Sequence, residues 1–501
     1  MSAFIPYKNF DYILGKQVNR PDLPPLGWNP DGRDTNNPHG LICGESGAGK
    51  TTLLKDLVTY LTMRGKHLFV FDLKGDLIFH DNDGNKIGNY IDFTAWDSEY
   101  GISFYEFDTG VSQSDLKLLI DNPNSMSTEQ RFKIQNSGPK VQVARLIEIL
   151  VSKFFPNMGV KQKDYLRHLF MDTYLMNGFI YNDISTWLNK LPSLKDTLEL
   201  IEMIKKHNNV GSNNDDELSR DFIDSIKPEI VNIDILKDRL VSKDPLDDDK
   251  EAIKKHIDAK EKYLDNAYKE YLDNTKGKFK KADILKLSHE KWFEEKRINP
   301  TKYESKEAIR KIDELASYLT SLNESEIFKE EKPPVKAGLN VINISGLDIP
   351  IQRVLVDIWL GKVFRACKIR GEYSKRTNKE RGEKVDTYFI VDETKLISGN
   401  SREKNDPYSY LNRTATESRG FGLGILVAAQ SAEHYPPEFL KNFHLQIILK
   451  TSVADSEIVR KSFDVDKETL KFTQKGWGNA LIKSGQNFVK VKLGSHVPIA
   501  A

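Results

Sequence analysis

The sequence has few cysteines and no long apolar run, and each shortage excludes a class of protein. Only two of its 501 residues are cysteines, Cys43 and Cys367. Because they lie far apart in the sequence, a disulfide framework and a zinc cluster are excluded, and both are expected to be small core residues in a reducing compartment. No apolar run approaches the roughly 18 residues of a membrane span, and residues 1–10 lack the basic start and apolar core of a signal peptide. We therefore expect a cytoplasmic protein without a membrane span.

The sequence also lacks an excess of either positive or negative charge. Lysine and arginine number 74, aspartate and glutamate number 73, and the net charge is +1. The overall charge therefore does not indicate a nucleic-acid-binding protein, although a local basic surface stays open. A chain of this length exceeds one simple core, so we expect two domains or one core with a large insertion.

What the sequence does contain is a phosphate-binding loop, because residues 44–51 match G-x-x-x-x-G-K-[ST]. Its glycines permit backbone dihedrals that a Cβ forbids, so that successive N–H groups turn inward to phosphate oxygens. Lys50 would reach the β- and γ-phosphates, and the Thr51 hydroxyl is a hard ligand for Mg²⁺. We expect ATP and Mg²⁺ as the cofactors. The nucleotide-binding residues are predicted to be Gly44, Glu45, Ser46, Gly47, Ala48, Gly49, Lys50, Thr51 and Thr52.

Both flanks of the loop fit this interpretation. Residues 41–43 predict the end of a buried strand, and the apolar residues of 51–61 recur at helical spacing. A helix that begins here directs its N-terminal dipole at the phosphates. A chance match in a glycine-containing turn would lack this strand–loop–helix context.

Two aspartates follow a second predicted strand, 67–72. Asp72 and Asp76 lie at its carboxyl end, where doubly wound sheets place ligand-binding groups. They would lie near the metal of the nucleotide or near a subunit boundary. The alternative is an Asx turn that ends the strand.

The composition divides the chain into four parts. Residues 1–38 carry six prolines and predict an N-terminal extended arm, which lies on a neighbouring subunit or covers the sheet. Residues 39–114 are predicted as the first part of an ATPase core, 115–335 as a helical insertion, and 336–501 as the second part of the core. The fold class is α/β, a RecA-like P-loop NTPase core with a mainly parallel sheet that a large all-α insertion splits.

The second half of the site is predicted at 387–394, where a buried strand ends in two carboxylates. Asp392 would bind Mg²⁺ through water or through the Thr51 hydroxyl, and Glu393 would orient and deprotonate the attacking water. Asp392 follows Thr51 by 341 residues, whereas a compact core places this carboxylate within about a hundred. This distance is the reason to treat 115–335 as an insertion.

Two more candidate residues are associated with the predicted strand 423–430, one before it and one at its carboxyl end. Gln430 would sense the γ-phosphate from its carboxyl end; simple strand termination is the alternative. Arg419 precedes the strand, and its planar guanidinium suits the charge of a phosphoryl transition state; a salt bridge with Glu417 or Asp392 is the alternative. Because that strand spans roughly 25 Å at about 3.3 Å per residue, Arg419 lies too far from its own nucleotide. A neighbouring subunit would receive it, and a closed head-to-tail arrangement is a ring.

Two charged segments each have two alternative interpretations. Residues 245–310 form a charge-rich part of the insertion, which is either an arm for DNA or protein or an ordinary solvated helical face. Residues 368–384 form a basic loop that contains three glutamates. This loop either contacts nucleic acid or is a mobile surface loop.

Five motifs in order resemble the HerA/FtsK superfamily of ring-forming P-loop ATPases, particularly its HerA-like branch. They are residues 44–51, 69–76, 341–347, 391–393 and 417–430. The similarity covers about 280 residues in the two core segments. It differs from HerA in three ways: residues 1–38 are too few for the N-terminal β-barrel, Thr394 follows the two carboxylates where Ala and His are usual, and the insertion is larger. The layout is nearer to the related type IV secretion and conjugation ATPases.

The resemblance implies a hexameric ring that moves DNA through its centre, with nucleotide at subunit boundaries and Arg419 as a finger supplied in trans. The leading hypothesis is thus a homo-oligomeric motor that translocates double-stranded DNA, with a nuclease or another effector protein as a candidate partner. One alternative is an assembly ATPase of a secretion or conjugation machine. Another is an ATP-dependent switch in a defence complex.

Overall fold

The computed structural model describes residues 11–494 apart from 82, 95–97, 99, 152–154, 156, 210–225, 227, 230–231, 234–235, 238–246, 275–280, 330, 377–381, 394–409, 436 and 485–486. Thr394, the first ten residues of the predicted arm and parts of both charged segments lie outside the described residues.

The strands are short and most belong to one sheet. Their bounds are β1 Tyr12–Gln17, β2 Leu26–Trp28, β3 Gly40–Cys43, β4 His67–Asp72, β5 Phe79–His80, β6 Lys86–Ile87, β7 Asn89–Asp92, β8 Leu339–Asn343, β9 Thr387–Val391, β10 Leu423–Ala429, β11 Leu445–Ile448, β12 Asn479–Ser484 and β13 Phe488–Leu493.

The helices are numbered in chain order. Their bounds are α1 Lys50–Met63, α2 Gln113–Asp121, α3 Thr128–Gln135, α4 Pro139–Ile149, α5 Val160–Met176, α6 Leu194–Asn209, α7 Asp247–Asn274, α8 Lys281–Glu295, α9 Lys306–Glu324, α10 Ile349–Ile369, α11 Tyr410–Glu417, α12 Pro437–Asn442, α13 Ser456–Phe463 and α14 Lys467–Gln474.

The main sheet has the strand order β2-β1-β13-β12-β11-β3-β10-β9-β4-β8-β7. The strands from β11 to β7 in this order pair in parallel, and the four strands at the other edge pair antiparallel. The carboxyl ends of the parallel strands therefore meet along one edge. The mainly parallel α/β core predicted from the sequence is confirmed.

Helices cover both faces of the parallel strands because these strands are apolar on both sides. In β9 all five residues are buried, and they alternate between two cores. Tyr388 and Ile390 pack in the core that includes α1, whereas Phe389 and Val391 pack in the core that includes α10.

The regular elements that the structure describes between β7 and β8 are helices. Buried residues of α4, α5, α6 and α9 join the same core as α10. The helical region therefore packs against one face of the sheet through a continuous apolar core.

The N-terminal segment extends the sheet, an arrangement that the two interpretations of the arm did not include. β1 pairs antiparallel with β13 and β2. Trp28 packs against Tyr60 of α1, with ring centroids 6.1 Å apart. The Asp31 side chain is 6% exposed and pairs with Arg64 at 2.6 Å and with Lys66 at 2.8 Å. The prolines flank β1 rather than interrupt it, which leaves 12–17 free to form a strand.

Candidate nucleotide-binding site

The phosphate-binding loop connects β3 to α1 at the carboxyl edge of the parallel strands. Gly47 and Gly49 have φ values of 77° and 90°, a region that side chains with a Cβ rarely adopt. A Cβ at Gly44 would lie 2.9 Å from the Cβ of Leu449. The Gly44 N–H donates to the Ala429 carbonyl at 3.2 Å. The glycines are thus required by the loop conformation and by the close approach of the neighbouring strands.

Lys50, the first residue of α1, lies folded into the loop. Its Nζ donates to the carbonyl oxygens of Gly44 and Glu45, each at 2.9 Å. Burial lowers the pKa of Lys50, although the nearby carboxylates of Glu393 and Asp392 favour its charged form. The ammonium group therefore lies beside the loop backbone and close to both predicted acidic residues.

Thr51 and Asp392 meet across 341 residues of sequence. The Thr51 hydroxyl donates to Asp392 Oδ2 at 2.9 Å. Asp392 is 4% exposed, and its Oδ1 is buried with no hydrogen-bond partner among the described residues. Burial raises the pKa of Asp392, against the Thr51 hydrogen bond and the nearby Lys74. A hydroxyl and a carboxylate with a spare oxygen are ligands that suit Mg²⁺, so these residues fit the predicted metal.

Glu393 follows directly and lies near the Lys50 ammonium. Its Oε1 is 3.8 Å from Nδ1 of His434, in the turn after β10. Lys74 Nζ lies 3.8 Å from Asp392 Oδ2. Neither His434 nor Lys74 is among the site residues predicted from the sequence. Their positions in the sequence were the available indication. Lys74 lies between Asp72 and Asp76, and His434 follows Gln430 by four residues.

Gln430 and Arg419 lie at opposite ends of β10. Gln430 is exposed and follows Ala429, whose carbonyl accepts from the loop N–H of Gly44. Arg419 is exposed in the turn before β10, and its Nη1 donates to the Asn36 carbonyl at 3.2 Å. Glu417 pairs with Lys368 at 3.0 Å. The structure thus brings Gln430 to the loop at the carboxyl ends of the parallel strands and places Arg419 at their amino ends.

His39 connects the start of β3 to the turn that carries Arg419. The imidazole is fully buried; Nδ1 accepts from the Ile425 N–H at 3.0 Å, and Nε2 lies 2.9 Å from the Ala415 carbonyl. Since Nδ1 is an acceptor, the proton is on Nε2. Burial, reinforced by Arg419, lowers the pKa of His39 to about 3, against the Ala415 hydrogen bond.

Asp72 forms an Asx turn at the end of β4, which was the alternative prediction for this residue. Its carboxylate accepts from the backbone N–H groups of the next turn, including Gly75 at 2.8 Å and Leu77 at 2.9 Å. Asp72 therefore fixes the loop that carries Lys74 towards Asp392. The Asp76 carbonyl accepts from Lys55 of α1 at 2.7 Å.

The described cations of the basic loop pair with groups of their own chain. Arg370 and Arg376 both pair with Asp386, and Lys384 donates to carbonyl oxygens of residues 32 and 35. Lys375 pairs with Glu372 at 3.0 Å. The contacts of Arg370, Arg376 and Lys384 anchor the loop, whereas the side chain of Lys375 stays 76% exposed.

The strand–loop–helix unit, the Thr51–Asp392 bond and the parallel sheet together define a P-loop NTPase with a RecA-like core. Residues 31–95 match the model of the family described as Helicase HerA-like C-terminal.

Two curated relatives are named DNA double-strand break repair helicase HerA. The protein of Sulfurisphaera tokodaii is 24% identical over 214 residues, which are 40% of this chain and 41% of that protein. The protein of Sulfolobus acidocaldarius is 25% identical over 182 residues, 36% of this chain and 35% of that protein. The chain thus matches about two fifths of the length of these relatives or less.

A solved structure, VirB4 of Thermoanaerobacter pseudethanolicus, superposes with a TM-score of 0.57 at 13% identity, over 98% of both chains. This likeness extends the shared fold from the core to the whole chain. The resemblance to HerA/FtsK-type P-loop ATPases of the HerA-like branch is confirmed. Among the described residues, no helix combines the length and the apolar character needed to cross a bilayer.

Proposed function

We propose that the chain is an Mg²⁺-dependent ATPase. The observation that carries the proposal is the 2.9 Å hydrogen bond between Thr51 and Asp392, because it joins the hydroxyl and the carboxylate that hold Mg²⁺ in such sites. When bound, Mg²⁺ would neutralise charge on the β- and γ-phosphates. The buried Oδ1 of Asp392 supplies a second carboxylate oxygen, for the metal or its water.

Each remaining residue of the site has a proposed role. Backbone N–H groups of 44–51 bind the phosphates, and Lys50 exchanges its contacts with the loop carbonyls for the β- and γ-phosphate oxygens. Glu393 accepts the proton of the attacking water, and Gln430 orients that water. The nearby His434 would hold the Glu393 carboxylate in place.

The site is proposed to be completed by a neighbouring subunit. Arg419 lies in the turn before β10, and β10 ends beside the loop, so Arg419 is at least about a strand length from its own nucleotide. Its exposed side chain is free to enter the site of the next subunit as an arginine finger. A head-to-tail contact of this kind closes into a ring, and we propose a hexamer.

The work done by the ring is proposed to be translocation of double-stranded DNA. Supporting this are the HerA-like match at 31–95 and the two relatives named DNA double-strand break repair helicases. A nuclease or another effector protein is the proposed partner.

The test is the ATPase rate with and without long linear duplex DNA, at several salt concentrations. We expect severalfold stimulation that weakens with salt, since phosphate contacts release counterions. Lys50→Ala should abolish turnover at every DNA concentration. Lys55→Ala, one turn further along α1 and bonded to the Asp76 carbonyl, is the matched control and should keep the parent rate.

The motor hypothesis would be contradicted if duplex DNA did not stimulate the ATPase and if the protein did not bind DNA in a salt-sensitive way. That outcome would favour the assembly ATPase or the ATP-dependent switch.

A further inference from the structure

A pocket continues sideways from the phosphate-binding loop, on the side away from Asp392. Its volume is about 150 Å³. Loop residues 45–48 line one wall, and the end of β11 with the turn 476–479 lines the other. We call it the Trp477 pocket. A molecule whose phosphates lie in the loop would extend its remaining part into this space or into solvent.

The wall opposite the loop presents an exposed aromatic ring. Trp477 is 78% exposed, although tryptophan is usually largely covered in folded proteins. Its neighbours are Gly476 and Gly478, so no adjacent side chain covers the indole. An exposed indole at the mouth of a cavity is a surface on which a flat ring can stack.

The turn that carries this tryptophan is held firmly. The Leu493 N–H donates to the Gly478 carbonyl at 2.8 Å, and Lys492 Nζ donates to the Trp477 carbonyl. Asn479 donates to the Phe472 carbonyl at 3.1 Å. Strand β13 and helix α14 therefore fix the backbone on which the indole is mounted, which lowers the entropy lost when a ligand stacks on it.

Polar contacts join the loop wall to the end of β11. The Glu45 N–H donates to the Lys450 carbonyl at 2.8 Å, and the side chains of Lys450 and Glu45 form an ion pair at 2.6 Å. The pocket is thus bounded by an ion pair beside the loop and an aromatic face across from it.

From this geometry we propose that the Trp477 pocket binds the base of the nucleotide and that the indole stacks on that base. The inference rests on the proposed nucleotide binding and adds the residue that recognises the base. Stacking tolerates every base, since each has a π-face. The amide of Asn479 is already engaged, so the pocket selects by ring area, and we expect purine over pyrimidine nucleotides.

Binding of ATP, CTP and inorganic tripolyphosphate to Trp477→Ala tests the proposal. Tripolyphosphate contacts the loop but has no base. We expect ATP affinity to fall about tenfold or more, in the range measured for base–aromatic stacking, while tripolyphosphate affinity stays unchanged. Trp477→Phe should retain most of the ATP affinity. ATP should also quench tryptophan fluorescence in the parent protein and not in Trp477→Phe.

Val453→Ala is the matched control, because Val453 is 83% exposed near the same sheet edge and does not line the pocket. It should bind ATP like the parent. Equal losses for ATP and tripolyphosphate, or an ATP affinity unchanged by Trp477→Ala, would overturn the proposal. An unchanged affinity with lost DNA stimulation would assign the indole to a DNA or protein contact instead. Base-dependent binding without hydrolysis would contradict the proposed ATPase and leave the pocket supported.

Discussion

The carboxyl and amino ends of the parallel strands differ in the burial of their charged side chains. At the carboxyl end, Lys50, Asp392 and Glu393 lie together, and burial shifts the pKa of both Lys50 and Asp392 towards the neutral form. At the amino end, Arg419 is exposed and bonds to one backbone carbonyl, while the neighbouring His39 is buried and neutral. The carboxyl end groups buried charged side chains together, whereas Arg419 at the amino end is exposed and bonds to a backbone carbonyl.

The difference follows from strand direction. Because the strands from β11 to β7 pair in parallel, a residue before a strand and one after it lie on opposite edges of the sheet. β10 has seven residues, so at about 3.3 Å each it separates Arg419 from Gln430 by roughly 23 Å. If Arg419 is the proposed finger, it would therefore serve a different copy of the chain.

The largest expected effect concerns the carboxyl end. Glu393→Gln should lower the rate of ATP hydrolysis about a thousandfold, since the amide cannot take the proton of the attacking water. ATP binding should remain, because Lys50 and the loop N–H groups are intact. Single-turnover hydrolysis and equilibrium binding measure the two quantities.

Glu433→Gln provides the control, because Glu433 is an exposed glutamate in the turn beside His434. It should hydrolyse ATP at the parent rate. If Glu393→Gln also did so, Glu393 would not be the base.

The second prediction concerns Arg419 at the amino end of the parallel strands. Arg419→Ala should leave ATP affinity nearly unchanged and lower turnover by about a hundredfold or more, because the transition-state charge loses a cationic partner. Mixing it with Glu393→Gln subunits should restore part of the activity. At one boundary of the mixed ring, an intact loop with Glu393 receives an intact Arg419.

Lys375→Ala changes another exposed cation, one that pairs locally with Glu372. It should keep the parent rate and should not complement Glu393→Gln. A protein that stays monomeric by mass with ATP at micromolar concentration and hydrolyses at full rate would contradict the trans arrangement.

Local sequence patterns were sufficient to predict that the loop and Asp392 meet at the carboxyl end of the sheet. The loop motif defines β3, the loop and α1 within about twenty residues, and the apolar run before Asp392 defines β9. Their meeting at 2.9 Å is dictated by the parallel sheet, whose carboxyl ends converge. For the same reason the separation of Arg419 from Gln430 could be derived from strand length alone.

The rest depends on contacts between distant segments. Trp477 lies beside the loop because β12 pairs antiparallel with β11, and nothing near Trp477 in the sequence indicates that pairing. Similarly, β1 pairs with β13 at the far end of the chain, so its place in the sheet could not be read from a proline-rich segment. His434 approaches Glu393 through a turn whose direction the sequence does not define.

The smallest expected effect tests the neutral histidine at the amino end. His39 Nδ1 accepts the Ile425 N–H, so a proton added at Nδ1 would face a donor inside an apolar core. The folded-state pKa of about 3 lies below the ordinary 6.5. The unfolded chain therefore binds the extra proton first, and the stability that neutral His39 contributes is complete above pH 6.5 and lost as pH falls towards 3.

His39→Gln removes this titration and keeps one acceptor and one donor for Ile425 and Ala415. Between pH 7 and pH 5 the free energy of unfolding of the parent should fall by about 2 kcal/mol more than that of the variant, at about 1.4 kcal/mol per pH unit below 6.5. Urea denaturation at each pH, followed by circular dichroism, measures the difference. His168→Gln, at an exposed position of α5, should follow the parent curve. If the unfolding free energies of the parent and His39→Gln changed equally with pH, His39 would not be held neutral in the folded protein. Protonated His39 and Arg419 would then lie side by side at the amino end, an arrangement that the buried hydrogen bonds of His39 do not accommodate.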